Sequence, residues 1–221
     1  MNFLRKPFRY QYFNATLTII VITVAAHLLL SYLGINRLIF GLNVAGFVYN
    51  HFIWQPFTYL FVHGDFTHLF FNMLALLIFG IQLEKALGSK EFILLYFVTG
   101  VLSGLFSILI YFLLGKMELS HGFQPSFFYV SLIGASGAIY AILFAFAVFF
   151  PRSKIFIWGI IPLPAPVMVL VYAVIEFLSQ FSMANNVAHM THLAGFAFAW
   201  LYFILRMGIH PLRIWKDAYR N

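Results

Sequence analysis

Ser136 lies in the run Gly134-Ala135-Ser136-Gly137, within an otherwise apolar segment. A serine hydroxyl is a weak nucleophile until a neighbouring base takes its proton. Two other polar groupings have spacings that could serve it. His192, Gly195 and Ala199 fall at i, i+3 and i+7, on one face of a helix. His68 and Asn72 fall at i and i+4, again on one face. The chemistry open to this set is acyl transfer. Ser136 would be the nucleophile, and His192 the general base that later protonates the leaving amine. His68, Asn72 and the Ser136 N–H would donate to the oxyanion. Tyr140, one turn below Ser136, would pack its ring under the imidazole. No acidic residue is near His192 in sequence, so the expectation is a dyad, not a triad.

The elements that must position these residues are membrane helices. The 221 residues are 63% hydrophobic and only 9% charged, with a mean hydropathy of +0.93. A soluble domain carries roughly 25% charged residues, so this composition excludes a soluble core. Spans are expected at Ala15–Leu33, Phe66–Leu83, Phe92–Leu114, Ser136–Phe150, Pro162 to about Phe181, and about His189 to Met207. The first is too long for a signal h-region and reads as a helix that stays. Between the first two spans, polar and aromatic residues from Gly34 to Asp65 describe an interfacial loop or short helices at headgroup depth. Gly100 and Gly104 form a GxxxG that permits close packing. Residues 1–14 form a basic lead-in, 15–207 the membrane domain, and 208–221 a basic tail.

Six spans place both ends on one side. Eleven of the 13 Lys and Arg residues then fall on that side, and only Arg37 and Lys116 on the other. The positive-inside rule makes that side the cytoplasm. It also explains the net charge of +7 without nucleic acid as a partner. There is no cysteine, hence no disulfide, thiol catalysis or zinc–thiolate site. The basic interior points to a prokaryotic plasma membrane.

The fourth span is the informative one. Ser136 to Phe150 makes about 22 Å of helix at ~1.5 Å per residue. The hydrocarbon core is about 30 Å thick. A helix starting at the serine therefore stops below the outer surface, with its first N–H groups free to favour an anion. Gly134 permits the tight turn that precedes it. Gly137, Ala141 and Ala145 form a small-residue stripe that Gly195 on the sixth span can approach.

The chain resembles the rhomboid intramembrane serine proteases. The resemblance rests on Gly134-Ala135-Ser136-Gly137 with Tyr140, on His192-Leu193-Ala194-Gly195, and on His68 with Asn72. Trp54-Gln55-Pro56-Phe57-Thr58, His63, and Glu84 with Leu87-Gly88 add to it, so that it runs from about Trp54 to Ala199. Many relatives carry Arg where Gln55 stands, and glycine where Ala194 stands. The resemblance implies an all-α, six-helix rhomboid-like bundle with an interfacial first loop. It also implies a Ser136–His192 dyad, an oxyanion hole of His68, Asn72 and the Ser136 N–H, and no cofactor. The expected substrates are single-span membrane proteins cleaved near the outer face, entering laterally between spans two and five.

Other readings use the same residues differently. His68 and His192 could ligate a haem, and His63, His68, His189 and His192 a metal. A non-proteolytic rhomboid-like protein would bind membrane helices without cutting them. His189 is the rival for the base, and loses to His192 because Gly195 and Ala199 continue the latter's face. His27 reads as an interhelical residue, and His51 and His63 as loop histidines. Glu176 is the one acidic residue within a span, and the sequence assigns it no role.

Overall fold

The computed structural model describes residues 7–157, 160–180 and 186–220. Arg5, Lys6 and most of the expected loop Ser182–Ala188 lie outside them. Helix α1 is Ala15–Tyr32, α2 is the short Gln55–Thr58, and α3 is Phe66–Ala75. A π-turn at Leu76–Gly80 continues α3 into α4, Ile81–Leu87. α5 is Ser89–Ser120, α6 is Ser136–Phe149, and α7 is Ala165–Ser179. α8 is Asn186–Tyr202, extended by a π-turn to Met207, and α9 is Pro211–Ala218. The protein is thus an all-α membrane protein apart from one hairpin. That hairpin pairs β1, Lys154–Ile157, with β2, Ile161–Pro164, antiparallel. The sequence alone places the start of the fifth span at Pro162. Pro162 and Pro164 instead sit in β2, an edge strand, where a missing N–H is tolerated.

Among the described residues, four helical stretches are long and apolar enough to cross a bilayer: Ala15–Tyr32, Phe66–Leu87, Ser89–Ser120 and His189–Met207. Ser136–Phe149 and Ala165–Ser179 are apolar but shorter. α6 is the most enclosed element. Ala138, Ala141, Ile142, Ala145 and Ala147 are fully buried, with α5 and α8 packed against it. The small side chains leave room for these neighbours to approach closely, and van der Waals packing of this kind drives association in lipid.

The first loop is built as short turns, at Arg37–Ile39, Ala45–Tyr49 and Gln55–Phe61. It reaches into the bundle. The Tyr59 hydroxyl donates to the Gly100 carbonyl at 2.6 Å. A Cβ on Gly100 would meet Leu60 at 2.9 Å and Ala138 at 3.1 Å, and one on Gly104 would meet Tyr59 at 2.8 Å. The GxxxG of α5 therefore admits this loop as well as α6. Trp54 Nε1 donates to the Ile39 carbonyl at 3.0 Å. Gln55, fully buried, donates to the Leu38 carbonyl at 3.1 Å and accepts from the Asn43 N–H. A neutral amide thus anchors the loop.

The helix ends far from Ser136 are tied down by carboxylates. Glu84, completely buried, accepts from the N–H groups of Ala15 and Thr16 at 2.6 and 2.8 Å and so caps α1. Arg206, at the end of the α8 extension, holds Glu91 of α5 at 2.9 Å. The tail is an amphipathic helix: Trp215 of α9 donates to the Ala147 carbonyl at 2.9 Å, beneath the end of α6.

Candidate active site

Ser136 is the first residue of α6. The backbone that leads to it would be costly to bury without partners. The first loop supplies them. Leu42 and Leu132 exchange N–H···O bonds of 2.9 and 2.8 Å, and Gly134 N–H donates to the Tyr59 carbonyl at 3.0 Å. Gly134 adopts φ +107°, which only glycine takes readily. A Cβ there would also lie 2.7 Å from Cε1 and Nε2 of His68. The glycine thus sets the turn and leaves space for that imidazole.

α8 approaches the other side. A Cβ on Gly195 would strike the Gly137 carbonyl and sit 3.2 Å from Cβ of Tyr140. Ser107 and Thr191 share a 2.7 Å hydrogen bond that pins α8 to α5. With the backbones this close, His192 Nε2 lies 2.8 Å from Ser136 Oγ. The rings of Tyr140 and His192 are stacked, 4.2 Å between centroids at an angle of 6°. His68 and Asn72, on α3, line the same cavity as Ser136 and His192. One Asn72 N–H is held by the His68 carbonyl at 2.9 Å, leaving a second N–H that can face the cavity. His68, Asn72, Tyr140 and His192 thus line one cavity with Ser136.

The cavity has a volume of about 1320 Å³ and lies between α3 and α7, with α6 as its floor. Thr67 and Asp65 line it at the end near the start of α3, and Gln82 and Lys154 line it at the opposite end. Outside the spans, the His68 N–H, as the strongest influence, holds the Asp65 carboxyl below the usual range, in keeping with its capping of α3. Fully buried His63 packs edge-on against His68 at 5.0 Å, and burial pushes its imidazole down to about 4.

Residues 50–208 match the Rhomboid domain family. The chain belongs to the rhomboid family. It is 31% identical over 115 residues to the rhomboid protease AarA of Providencia stuartii, covering 52% of this chain and 40% of that one. To the mitochondrial rhomboid protein 1 of Saccharomyces cerevisiae it is 36% identical over 104 residues, 47% of this chain and 27% of the relative. To the inactive RHOMBOID-like protein 8 of Arabidopsis thaliana it is 34% identical over 69 residues, 31% and 20% of the two chains. The chain thus matches less than half the length of each of these relatives.

One residue of this rhomboid's site was missed in the sequence. Glu176, on α7, turns its carboxylate to His192 Nδ1 at 3.0 Å and to His189 Nδ1 at 2.5 Å. It also accepts from the Tyr140 hydroxyl. The Nδ1 contact is at ion-pair distance, but the N–H does not point along it, and Nδ1 has no aligned hydrogen bond. An intramembrane carboxylate is a functional signal in itself, yet it stands 16 positions before His192 in the chain. Glu176, His189 and His192 are also the one group among the described residues close enough to share a metal. Their 2.5 and 3.0 Å separations suit hydrogen bonds better than ligands spread ~3.3 Å apart around a tetrahedral ion. The four-histidine set weighed from sequence does not form such a group.

Proposed function

We propose that this chain is an intramembrane serine endopeptidase that cleaves single-span membrane proteins near the outer face of the bilayer. The observation that carries the reading is the 2.8 Å contact between Ser136 Oγ and His192 Nε2. Its context within a rhomboid domain supports it. In this reading α6 and α7 complete a bundle of six spans, with both termini cytoplasmic, probing a prokaryotic plasma membrane from within. α6 is only 14 residues long, about 21 Å, so Ser136 lies below the outer surface.

The substrate segment enters laterally between α3 and α7 and unwinds, because a helical peptide bond is shielded. Ser136 Oγ attacks the scissile carbonyl while its proton passes to His192 Nε2. The resulting oxyanion is held by the Ser136 N–H, His68 and the free Asn72 N–H. The C–N bond then breaks, and His192 returns the proton to the leaving amine. Water attacks the acyl-enzyme in the same way, giving a carboxylate and restoring Ser136. Tyr140 keeps the imidazole plane fixed throughout.

The test is labelling of the purified protein by a fluorophosphonate, alongside cleavage of a single-span substrate in detergent. Wild type should label and cleave without added metal or nucleotide. Ser136→Ala and His192→Ala should each do neither while keeping the thermal transition. Cleavage that persists in Ser136→Ala sinks the reading.

A further inference from the structure

We propose that Glu176 is a positioning residue for His192, so that the dyad works as a Ser136–His192–Glu176 relay. The proposal rests on the reading above. Glu176 is 6% exposed on a helix within the membrane domain, where an unpaired charge would be costly. Its partners all belong to the site. One oxygen takes the Tyr140 hydroxyl and lies 3.0 Å from His192 Nδ1, and the other lies 2.5 Å from His189 Nδ1. Tyr140 therefore does two jobs, stacking on the imidazole and fixing the carboxylate beside it. His189, the rejected candidate for the base, acts as the second holder of that carboxylate.

The chemical consequence is the tautomer. A carboxylate beside Nδ1 favours the proton there, and so leaves the Nε2 lone pair facing Ser136 Oγ at 2.8 Å. When Oγ attacks, its proton moves to Nε2 and His192 becomes an imidazolium. Glu176 stays ionised and stabilises that cation, taking no proton itself. The contact, not aligned at rest, tightens as the positive charge develops. The imidazolium then gives the proton to the leaving amine.

The geometry also couples two walls of the cavity. Glu176 is carried by α7, which packs on α6 and α8 and faces α3 across the open groove. The acid that orders the base thus sits on the helix that a substrate entering the groove must pass.

The experiment compares wild type with Glu176→Gln, Glu176→Asp and Ser136→Ala in detergent, measuring kcat and KM for a single-span substrate, fluorophosphonate labelling rate and thermal transition. Glu176→Gln should lose at least about 100-fold in kcat, as when the orienting acid of a triad is made an amide. KM should stay within about twofold. Glu176→Asp, which keeps the charge but withdraws it by one methylene, should recover part of the loss. A merely structural role would move the thermal transition and leave no charge-dependent rescue. A Glu176→Gln enzyme within about threefold of wild-type kcat overturns the proposal, while an inactive Ser136→Ala leaves the serine mechanism standing. If Glu176→Gln does not fold, Glu176→Asp decides: unchanged kcat refutes the relay. Activity lost in EDTA and restored by zinc would also overturn it, making the cluster a ligand set.

Discussion

A methyl group placed on Gly195 would land on the carbonyl oxygen of Gly137. That contact sets how closely the helix bearing His192 can approach the helix bearing Ser136. Gly195→Ala must push backbone from backbone, which side-chain rotation cannot relieve. Overpacking of this kind costs about 1–3 kcal/mol. We expect a lower thermal transition in detergent and at least a tenfold fall in fluorophosphonate labelling. Gly137→Ala is the milder case, because its Cβ would meet Thr191 Cγ2 at 3.0 Å and Ser103 Cβ at 3.2 Å. It should retain more activity than Gly195→Ala, and the reverse ranking would contradict the packing argument.

The oxyanion donors should separate chemistry from binding. In the proposed mechanism His68→Ala and Asn72→Ala each remove a donor that is used only when negative charge develops. Each should lower kcat by about 10²–10³ with little change in KM. Steady-state cleavage kinetics would show this split. A rise in KM with kcat preserved would instead make the two residues substrate-binding groups.

Gln55 tests the anchoring of the first loop. Gln55→Leu strands the buried Asn43 N–H and removes one of the two side-chain donors to the Leu38 carbonyl, leaving it only Asn43 Nδ2. Buried polar groups left without partners cost about 1–3 kcal/mol each. The variant should therefore melt at a lower temperature, and limited proteolysis should open the loop before the helices. Unchanged stability would show that Trp54, Thr58 and Asn43 hold the turn without it.

His63 gives a pH dependence whose sign is fixed. Burial lowers its value from 6.5 to about 4 in the folded protein, so the unfolded chain binds the extra proton first. Its contribution to stability is present above 6.5 and is lost as pH falls from there towards 4. The loss amounts to about 3 kcal/mol, at about 1.4 kcal/mol per unit. Thermal unfolding followed from pH 7 to 4 should show this fall in wild type and a shallower one in His63→Leu. Parallel curves would mean that the histidine is already hydrated in the folded state.

The site was legible where chemistry and packing share a local pattern. Gly134 and Gly137 flank the serine, and Gly195 follows His192 by one helical turn, so each short string carried both a reactive group and its clearance. Hydropathy located the apolar helices but not all of their ends: α5 runs Ser89–Ser120 where Phe92–Leu114 is expected, and α7 begins at Ala165, after Pro162. Glu176 was not legible as a partner of His192, because it reaches the imidazole from another helix and no local spacing records that contact. The hairpin at Lys154–Pro164 was hidden by its composition, since apolar strand residues between prolines read equally as the start of a membrane helix. α9 was masked by its charges, which read as a tail although Trp215 is buried under α6.

The 56-residue separation of His192 from Ser136 has a consequence in time. During synthesis the serine emerges and enters the bilayer well before the residue that would activate it. Between those moments the nascent protein carries only an ordinary alcohol, harmless to the membrane proteins being inserted beside it. In the proposed mechanism docking of α8 is then the arming step, so any condition that delays it prolongs the interval in which the serine stays unactivated.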